Sequence, residues 1–259
     1  MTNGDNAVTL VIGLGEVGRP LLTVLQAHDP SAVGVDLEPV AIDRPVGLMH
    51  ACIPFLQLDS YRRTLIGYAR KYRPEVIVVN STVAPGTTRA IEVATGIPCV
   101  YSPVRGKHTK MVEDLKLYVK FVAGADANVA ARVQAHFQAA GLKSERLSAP
   151  ESLELAKLLE TTYFGLLIGW AQEMNRFADA VGGAYLEGGR FFSEIGYLPP
   201  VLFQPGVIGG HCVMPNIALL EQRYQSVCLD ASKSSNEARK AEIQLEEQTE
   251  RLQPLAFAK

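Results

Sequence analysis

An excess of charge of either sign is the first thing this sequence lacks. Lys and Arg number 25 and Asp and Glu 27, for a formal net charge of -2. That balance gives no electrostatic footing for nucleic acid or an anionic membrane surface, so neither is expected as a partner. Cysteine is scarce, with four in 259 residues (Cys52, Cys99, Cys212 and Cys228) and no C-x-x-C pair. Scattered cysteines argue against a disulfide framework and against a metal site, and a reducing, cytoplasmic setting fits them. No apolar run reaches the roughly 20 residues that span a bilayer. The first residues, MTNGDNA, are polar and carry no signal-peptide core. Internal repeats are absent too. What remains is a chain that is 47% hydrophobic, enough for one large or two modest domains around a sizeable core.

The most informative stretch is residues 7–36. A β-branched apolar run, residues 7–12, leads into Gly13, Gly15 and Gly18, spaced as G-x-G-x-x-G with Glu16 and Val17 between the last two. An amphipathic segment, residues 20–27, comes next, and then a second apolar run ending on Asp36. Each part has a physical job. Gly13 allows the tight turn out of the strand, Gly15 lets backbone approach a pyrophosphate, and Gly18 lets helix pack on strand. The helix start offers N–H groups and a positive dipole end to phosphate. A carboxylate at Asp36 is placed to bind adenosine ribose hydroxyls. Asp36 and Glu38 together repel a 2′-phosphate, which predicts NAD over NADP, with Arg44 the nearby residue that opposes the preference.

Further along, residues 46–53 read as a buried strand ending at Pro54, at the same edge as the glycine turn. His50 inside it reads as a core histidine. Residues 58–72 have helical spacing, with Arg62, Arg63, Arg70, Lys71 and Arg73 on a solvated face. Residues 75–79 (EVIVV) form a strand leading into NSTVAPGTT. Strand ends at the carboxyl edge of a doubly wound sheet face the ligand crevice. Ser81, Thr82, Thr87 and Thr88 are therefore candidate contacts, with helix capping the alternative for Thr87 and Thr88. Residues 97–101 are another strand, with the basic cluster Arg105, Lys107 and His108 after it. Two readings stand for that cluster, substrate-anion binding and a solvated loop. Strands over 121–124 and 144–147 flank a helix over 128–140. This alternation predicts a Rossmann-type, doubly wound, mostly parallel α/β sheet over residues 1–149.

From Pro150 the period changes. Residues 151–180 carry no proline and read as one long helix, apolar almost all round, on which a second, helical domain (150–259) is built. Lys157 falls on its apolar half, where a lysine usually snorkels to water. Residues 182–189 read as a glycine-rich break. PGVIGGHCVMPN, residues 205–216, is a glycine turn that can place the Cys212 thiol against a ligand. Residues 217–224 and 230–252 read as helices.

Taken together, these motifs resemble the UDP-glucose/GDP-mannose dehydrogenase family: GLGEVG (13–18), STVAPGTT (81–88), SP-V-R (102–105), ELAK (154–157), QE (172–173) and GGHC (209–212). The resemblance runs from Val8 to about Asn236. It implies an NAD-dependent enzyme that oxidises a sugar alcohol, with Cys212 capturing the aldehyde as a thiohemiacetal. It further implies that Lys157 stabilises an oxyanion, that Thr82 positions water, and that His211 assists or shapes the turn. A homodimer through the helix 151–180 is implied as well. The sequence departs from the family pattern in five respects, one being a trimmed first half with very little chain between Asp36 and the strand that starts at Val46. Thr161 stands for an asparagine, Asn216 for an aspartate that activates water, and Val104 for a glutamate, while the C-terminal nucleotide-sugar domain has no counterpart, so a short form is expected. A 3-hydroxyacid-type dehydrogenase and a non-catalytic NAD-binding protein are the rival readings.

Overall fold

The structure, a computed structural model, describes residues 7–38, 40–106, 108–192, 195–196, 203–210 and 212–252. The chain divides into two compact units, Met1–Lys157 and Leu158–Lys259.

In the first unit β1 (Val8–Ile12) is followed by α1 (Gly18–His28), β2 (Val33–Val35), β3 (Val46–Ala51), α2 (Leu58–Tyr72), β4 (Val76–Val79) and α3 (Thr87–Thr95). Then come β5 (Cys99–Tyr101), α4 (Met111–Leu117), β6 (Lys120–Gly124), α5 (Ala127–Ala139), β7 (Ser144–Arg146) and α6 (Pro150–Ala180). The seven strands lie in the order β2-β1-β3-β4-β5-β6-β7. β1 to β5 pair in parallel, β6 runs antiparallel to β5, and β7 parallel to β6. The chain moves outward from β1 to β2, then crosses to the other side of β1 to form β3. That reversal is the switch point at whose carboxyl edge ligands bind in open α/β sheets.

Alternation along each strand divides the core. Val8, Leu10 and Ile12 of β1, with Ile77 and Val79 of β4, pack on one face with Tyr61 and Leu65 of α2, Ile91 of α3 and Leu153 of α6. Val11, Val76 and Val78 point to the other face, against Leu21, Val24 and Leu25 of α1, Met111 and Leu115 of α4, and Val133 and Phe137 of α5. A sheet covered on both sides needs strands that are apolar throughout, which is why these runs do not alternate with polar residues. α4 and the 3₁₀ turn before it (His108–Lys110) were not legible in the sequence.

The second unit continues α6 and adds α7 (Tyr185–Phe192), α8 (Val213–Glu221) and α9 (Val227–Leu252). The two glycines of α6 act as contact points. A Cβ on Gly165 would lie 2.4 Å from Val213 Cγ1, and one on Gly169 3.0 Å from Ser232 Oγ. Their absence of side chain is what lets α8 and α9 approach α6. One expectation is corrected. The stretch 182–189 is not simply a break, because α7 begins within it at Tyr185 and takes in Gly188 and Gly189. Helix cost at two glycines is about 1 kcal/mol each. Anchoring of Tyr185, whose hydroxyl donates to Phe203 O, works against that cost.

Candidate functional site

The turn after β1 is built on its three glycines. Gly13 has φ +84°, and a Cβ there would sit 2.9 Å from Cys52 O. The Gly13 amide donates to Val35 O and the Cys52 amide to Ile12 O, both at 2.8 Å, so the turn is fixed between β2 and β3. A Cβ on Gly18 would fall 1.7 Å from Gly13 O, whereas one on Gly15 meets nothing within 4 Å. Gly15 and Glu16 are exposed, and Val17, the N-cap of α1, is half-buried and has no side chain able to cap the helix. Open space beside a helix start is what a pyrophosphate needs. Asp36 lies just past β2 and is exposed, as is Pro54 after β3. Arg44 is held at the other end of β2, where it donates to Ser31 O at 3.4 Å. The residues present therefore fit a dinucleotide without a 2′-phosphate.

The hydroxyls after β4 divide by role. Ser81 is buried, donates to Ile53 O at 2.6 Å and accepts from Tyr61 OH at 3.1 Å, which ties the ends of β3 and β4 together. Thr82 is half-buried. Thr87 bonds Ala84 O at 2.6 Å. Neither Thr87 nor Thr88 caps α3, as both lie inside its first turn and Gly86 is the N-cap. The capping group comes instead from α6. Glu154, fully buried, accepts from the Gly86 amide at 2.6 Å, the Thr88 amide at 2.8 Å and the Thr88 hydroxyl at 2.6 Å. Burial raises the Glu154 carboxyl above its ordinary range, and the donors from Thr88 and Gly86 oppose that rise. Lys157 lies one turn on (i, i+3) and is half-buried, with Thr161 one further turn along.

At the end of β5, Arg105 donates to Val119 O at 2.8 Å and lies over the rings of Tyr118 and Phe121. Its guanidinium thus anchors its own loop. Val104, in the glutamate position of the motif, is buried core. Lys107, His211 and the side chain of His108 lie outside the described residues.

Sequence reading missed a buried polar group behind this edge. Lys120, only 3% exposed, donates to Asn80 Oδ1 at 3.0 Å, Pro103 O at 3.1 Å and Ser102 O. Asn80 Nδ2 donates to Val78 O at 3.0 Å and faces His50 Nδ1 at 3.3 Å. His50 Nε2 faces His136 Nε2 at 3.3 Å. Val78 O can only accept, so it fixes the Asn80 amide with Nδ2 as donor, and that NH₂ in turn makes His50 Nδ1 the acceptor. His50 therefore carries its proton on Nε2. A lysine inside an apolar strand end was the one signal available.

In the second unit Cys212 is the N-cap of α8 and is exposed. Asn216, one turn on, donates its backbone N–H to Cys212 O at 3.2 Å and is buried. Cys228 is also exposed, whereas Cys52 in the first unit has its thiol pushed up to about 12 by burial, and Cys99 is raised too. Buried thiols of this kind are unreactive. Among the described residues no cluster of three or more His, Cys, Asp or Glu is placed to hold a metal, and no helix is long and apolar enough to cross a membrane.

No family model matches the chain. A curated UDP-N-acetyl-D-mannosamine dehydrogenase of Methanocaldococcus jannaschii is 21% identical over 262 residues, 82% of this chain and 60% of its own length. The chain thus spans about 60% of the length of that relative. Among solved structures, the UDP-D-ManNAc dehydrogenase of Pyrococcus horikoshii has a TM-score of 0.79 at 17% identity, over 90% of this chain and 69% of that one. The UDP-glucose dehydrogenase of Pyrobaculum islandicum has a TM-score of 0.73 at 18% identity, over 92% and 70%. The 3-hydroxyisobutyrate dehydrogenase of Mycobacterium tuberculosis has a TM-score of 0.68 at 15% identity, over 90% and 93%. At these identities the likeness is one of fold, the Rossmann-type sheet followed by a helical part.

Proposed function

We propose that the chain is an NAD-dependent oxidoreductase acting on an alcohol of a sugar or nucleotide sugar. The observation that carries the reading is the turn at the switch point, with Gly15 open, Gly18 packed on Gly13 and Asp36 exposed at the end of β2. The curated relative, a UDP-N-acetyl-D-mannosamine dehydrogenase by name, supports the substrate class. When bound, NAD supplies the hydride acceptor. Gly13, Gly15, Glu16, Val17 and Gly18 hold its pyrophosphate, and Asp36 its ribose. Lys157 stabilises negative charge on the substrate oxygen. Glu154 fixes the start of α6 and with it the helix face from which Lys157 projects. The Cys212 thiolate adds to the aldehyde carbon, forming a C–S bond while the carbonyl oxygen takes the charge. Thr82, Thr161 and Asn216 are the polar groups assigned to positioning water. Two copies pair along α6, a step supported by the exposure of Tyr163, Phe164, Trp170 (57%) and Phe177 (64%) on that helix.

A single-step hydroxyacid dehydrogenase is the second reading. It is favoured by the match to the 3-hydroxyisobutyrate enzyme over 93% of that chain's length. It is favoured as well by Asn216, an amide that cannot act as a base.

The test is NADH formation from a panel of nucleotide sugars, free sugars and small hydroxy acids, with wild type beside Cys212→Ala. Two NADH per sugar substrate, lost without the thiol, is the expected result. One NADH per substrate in both proteins replaces it with the single-step reading. Failure of the wild type to bind NAD in a calorimetric titration overturns both. A monomer by light scattering removes the pairing.

A further inference from the structure

Residues 203–210 contain no helix or strand, yet their backbone is tied at two points by buried amide side chains. Asn236 of α9, fully buried, accepts the Ile208 amide on Oδ1 at 2.7 Å and donates Nδ2 to Ile208 O at 3.2 Å. One side chain thus does for Ile208 what a neighbouring strand would do. Gln172 of α6, 1% exposed, donates Nε2 to Gly206 O at 2.7 Å and to Asn236 Oδ1 at 3.3 Å. Its Oε1 accepts from Ser235 Oγ at 3.0 Å. Arg176 holds Ser235 from the other side, at Oγ and at the carbonyl, both at 3.0 Å. Each amide has its orientation dictated by a partner that can play only one part. Ile208 N–H must donate, Gly206 O must accept, and Gln172 Nε2 must donate. The network is closed, so it resists displacement of any one member.

The glycine turn begins directly after this pinned segment. Gly209 and Gly210 (φ +75°) lead from Ile208 to Cys212, the N-cap of α8. Glycine cannot hold a conformation by itself, because it has the most backbone freedom to lose. The turn needs a fixed point on each side. α8 is one and Ile208 is the other.

We propose that Asn236 is the positioning residue for the Cys212 thiol, acting through Ile208 with Gln172 as its support. The inference rests on the role given to Cys212 above. It is tested with a readout that does not need turnover.

The experiment uses the full chain with Cys228→Ser, which leaves Cys212 as the exposed thiol beside the half-buried Cys52 and the buried Cys99. Alkylation of Cys212 by iodoacetamide is followed from pH 6 to 9, and backbone hydrogen exchange over 203–210 is measured in parallel. In Asn236→Leu, exchange at Ile208 is expected to rise about tenfold per hydrogen bond lost. The alkylation rate and its pH profile are expected to change with it. Asn236→Asp keeps the volume and the acceptor but sets an oxygen against Ile208 O, and it is expected to show the same changes if the leucine variant does not fold. Gln172→Glu should give a smaller change in the same sense. Exchange that rises while Cys212 alkylates with the wild-type rate and pH profile overturns the proposal, leaving Asn236 a loop anchor only. Unchanged exchange overturns it as well. Full NADH turnover in Cys212→Ala sinks the thiol chemistry instead, and the alkylation result is read independently of it.

Discussion

Glu154 Oε1 accepts both the amide and the hydroxyl of Thr88, at 2.8 and 2.6 Å, across 66 residues of sequence. With the Gly86 amide on Oε2, this one buried carboxylate answers three donors at the start of α3, where the helix dipole also favours an anion. Orphaning a buried donor costs about 1–3 kcal/mol. Glu154→Ala is therefore expected to destabilise the chain by at least about 3 kcal/mol, which at this size is a fall in Tm of roughly 6–12 °C. Glu154→Gln, which sets an NH₂ against donors, should fall between the two. A melt of Glu154→Ala within about 1 °C of wild type would show that α3 does not depend on α6.

Gly15 and Gly18 separate binding from folding. A Cβ on Gly18 meets Gly13 O at 1.7 Å, while one on Gly15 meets nothing. Gly15→Ala should melt like wild type but lose NAD affinity, because the methyl occupies the approach to the pyrophosphate. Gly18→Ala should lose several °C before any cofactor is added. Thermal melts beside NAD titrations decide the matter, and equal NAD affinity in Gly15→Ala and wild type would count against the proposed cofactor site.

Lys120 gives the stability a pH dependence above neutrality. Burial lowers it from 10.5 to about 7. Between those values the unfolded chain holds a proton that the folded chain has released, so stability rises with pH, by at most about 1.4 kcal/mol per unit. Cys52, pushed up to about 12 from 9.0, acts in the opposite sense above its unfolded value. The comparison therefore belongs below about pH 9. Urea unfolding at pH 7, 7.75 and 8.5 should show a shallower slope in Lys120→Met than in wild type. Equal slopes would mean that Lys120 keeps its charge throughout, held by Asn80, Ser102 and Pro103.

His50 and His136 set the acid side. Burial lowers His50 well below 6.5 and takes His136 to about 4. As pH falls from about 6.5 toward 4 the unfolded chain takes up protons that the folded pair refuses, so stability drops. His136→Gln, which still offers His50 Nε2–H an acceptor oxygen, should flatten that drop. An unchanged acid limb in denaturant titrations from pH 7 to 4.5 would place the acid sensitivity elsewhere.

Local chemistry determined much of this protein. β-branched runs fixed the strands of the first unit, since only a sheet covered on both faces buries such residues throughout. Gly13, Gly15 and Gly18 fixed the turn, because their spacing is dictated by backbone sterics. A proline-free apolar stretch fixed α6. Tertiary structure decided what depends on partners far apart in sequence. The cap of α3 is a carboxylate from α6, where Thr87 or Thr88 was the local choice. Ser81 is a candidate ligand contact from its place at a strand end, and Arg105 has two readings, anion binding and a solvated loop; the tertiary structure adds that Ser81 bonds Ile53 O and Tyr61 OH, and that one Arg105 nitrogen donates to Val119 O. Lys120, Asn80 and His50 come together only because the antiparallel β6 starts at the sheet edge where β3, β4 and β5 end. The glycine-rich stretch 182–189 carries helix-breaking propensity, and α7 forms there nonetheless, with Tyr185 anchored on Phe203. Periodicity reports which face a residue occupies. It carries no information about which polar group waits on the other side, and a buried hydrogen bond requires both.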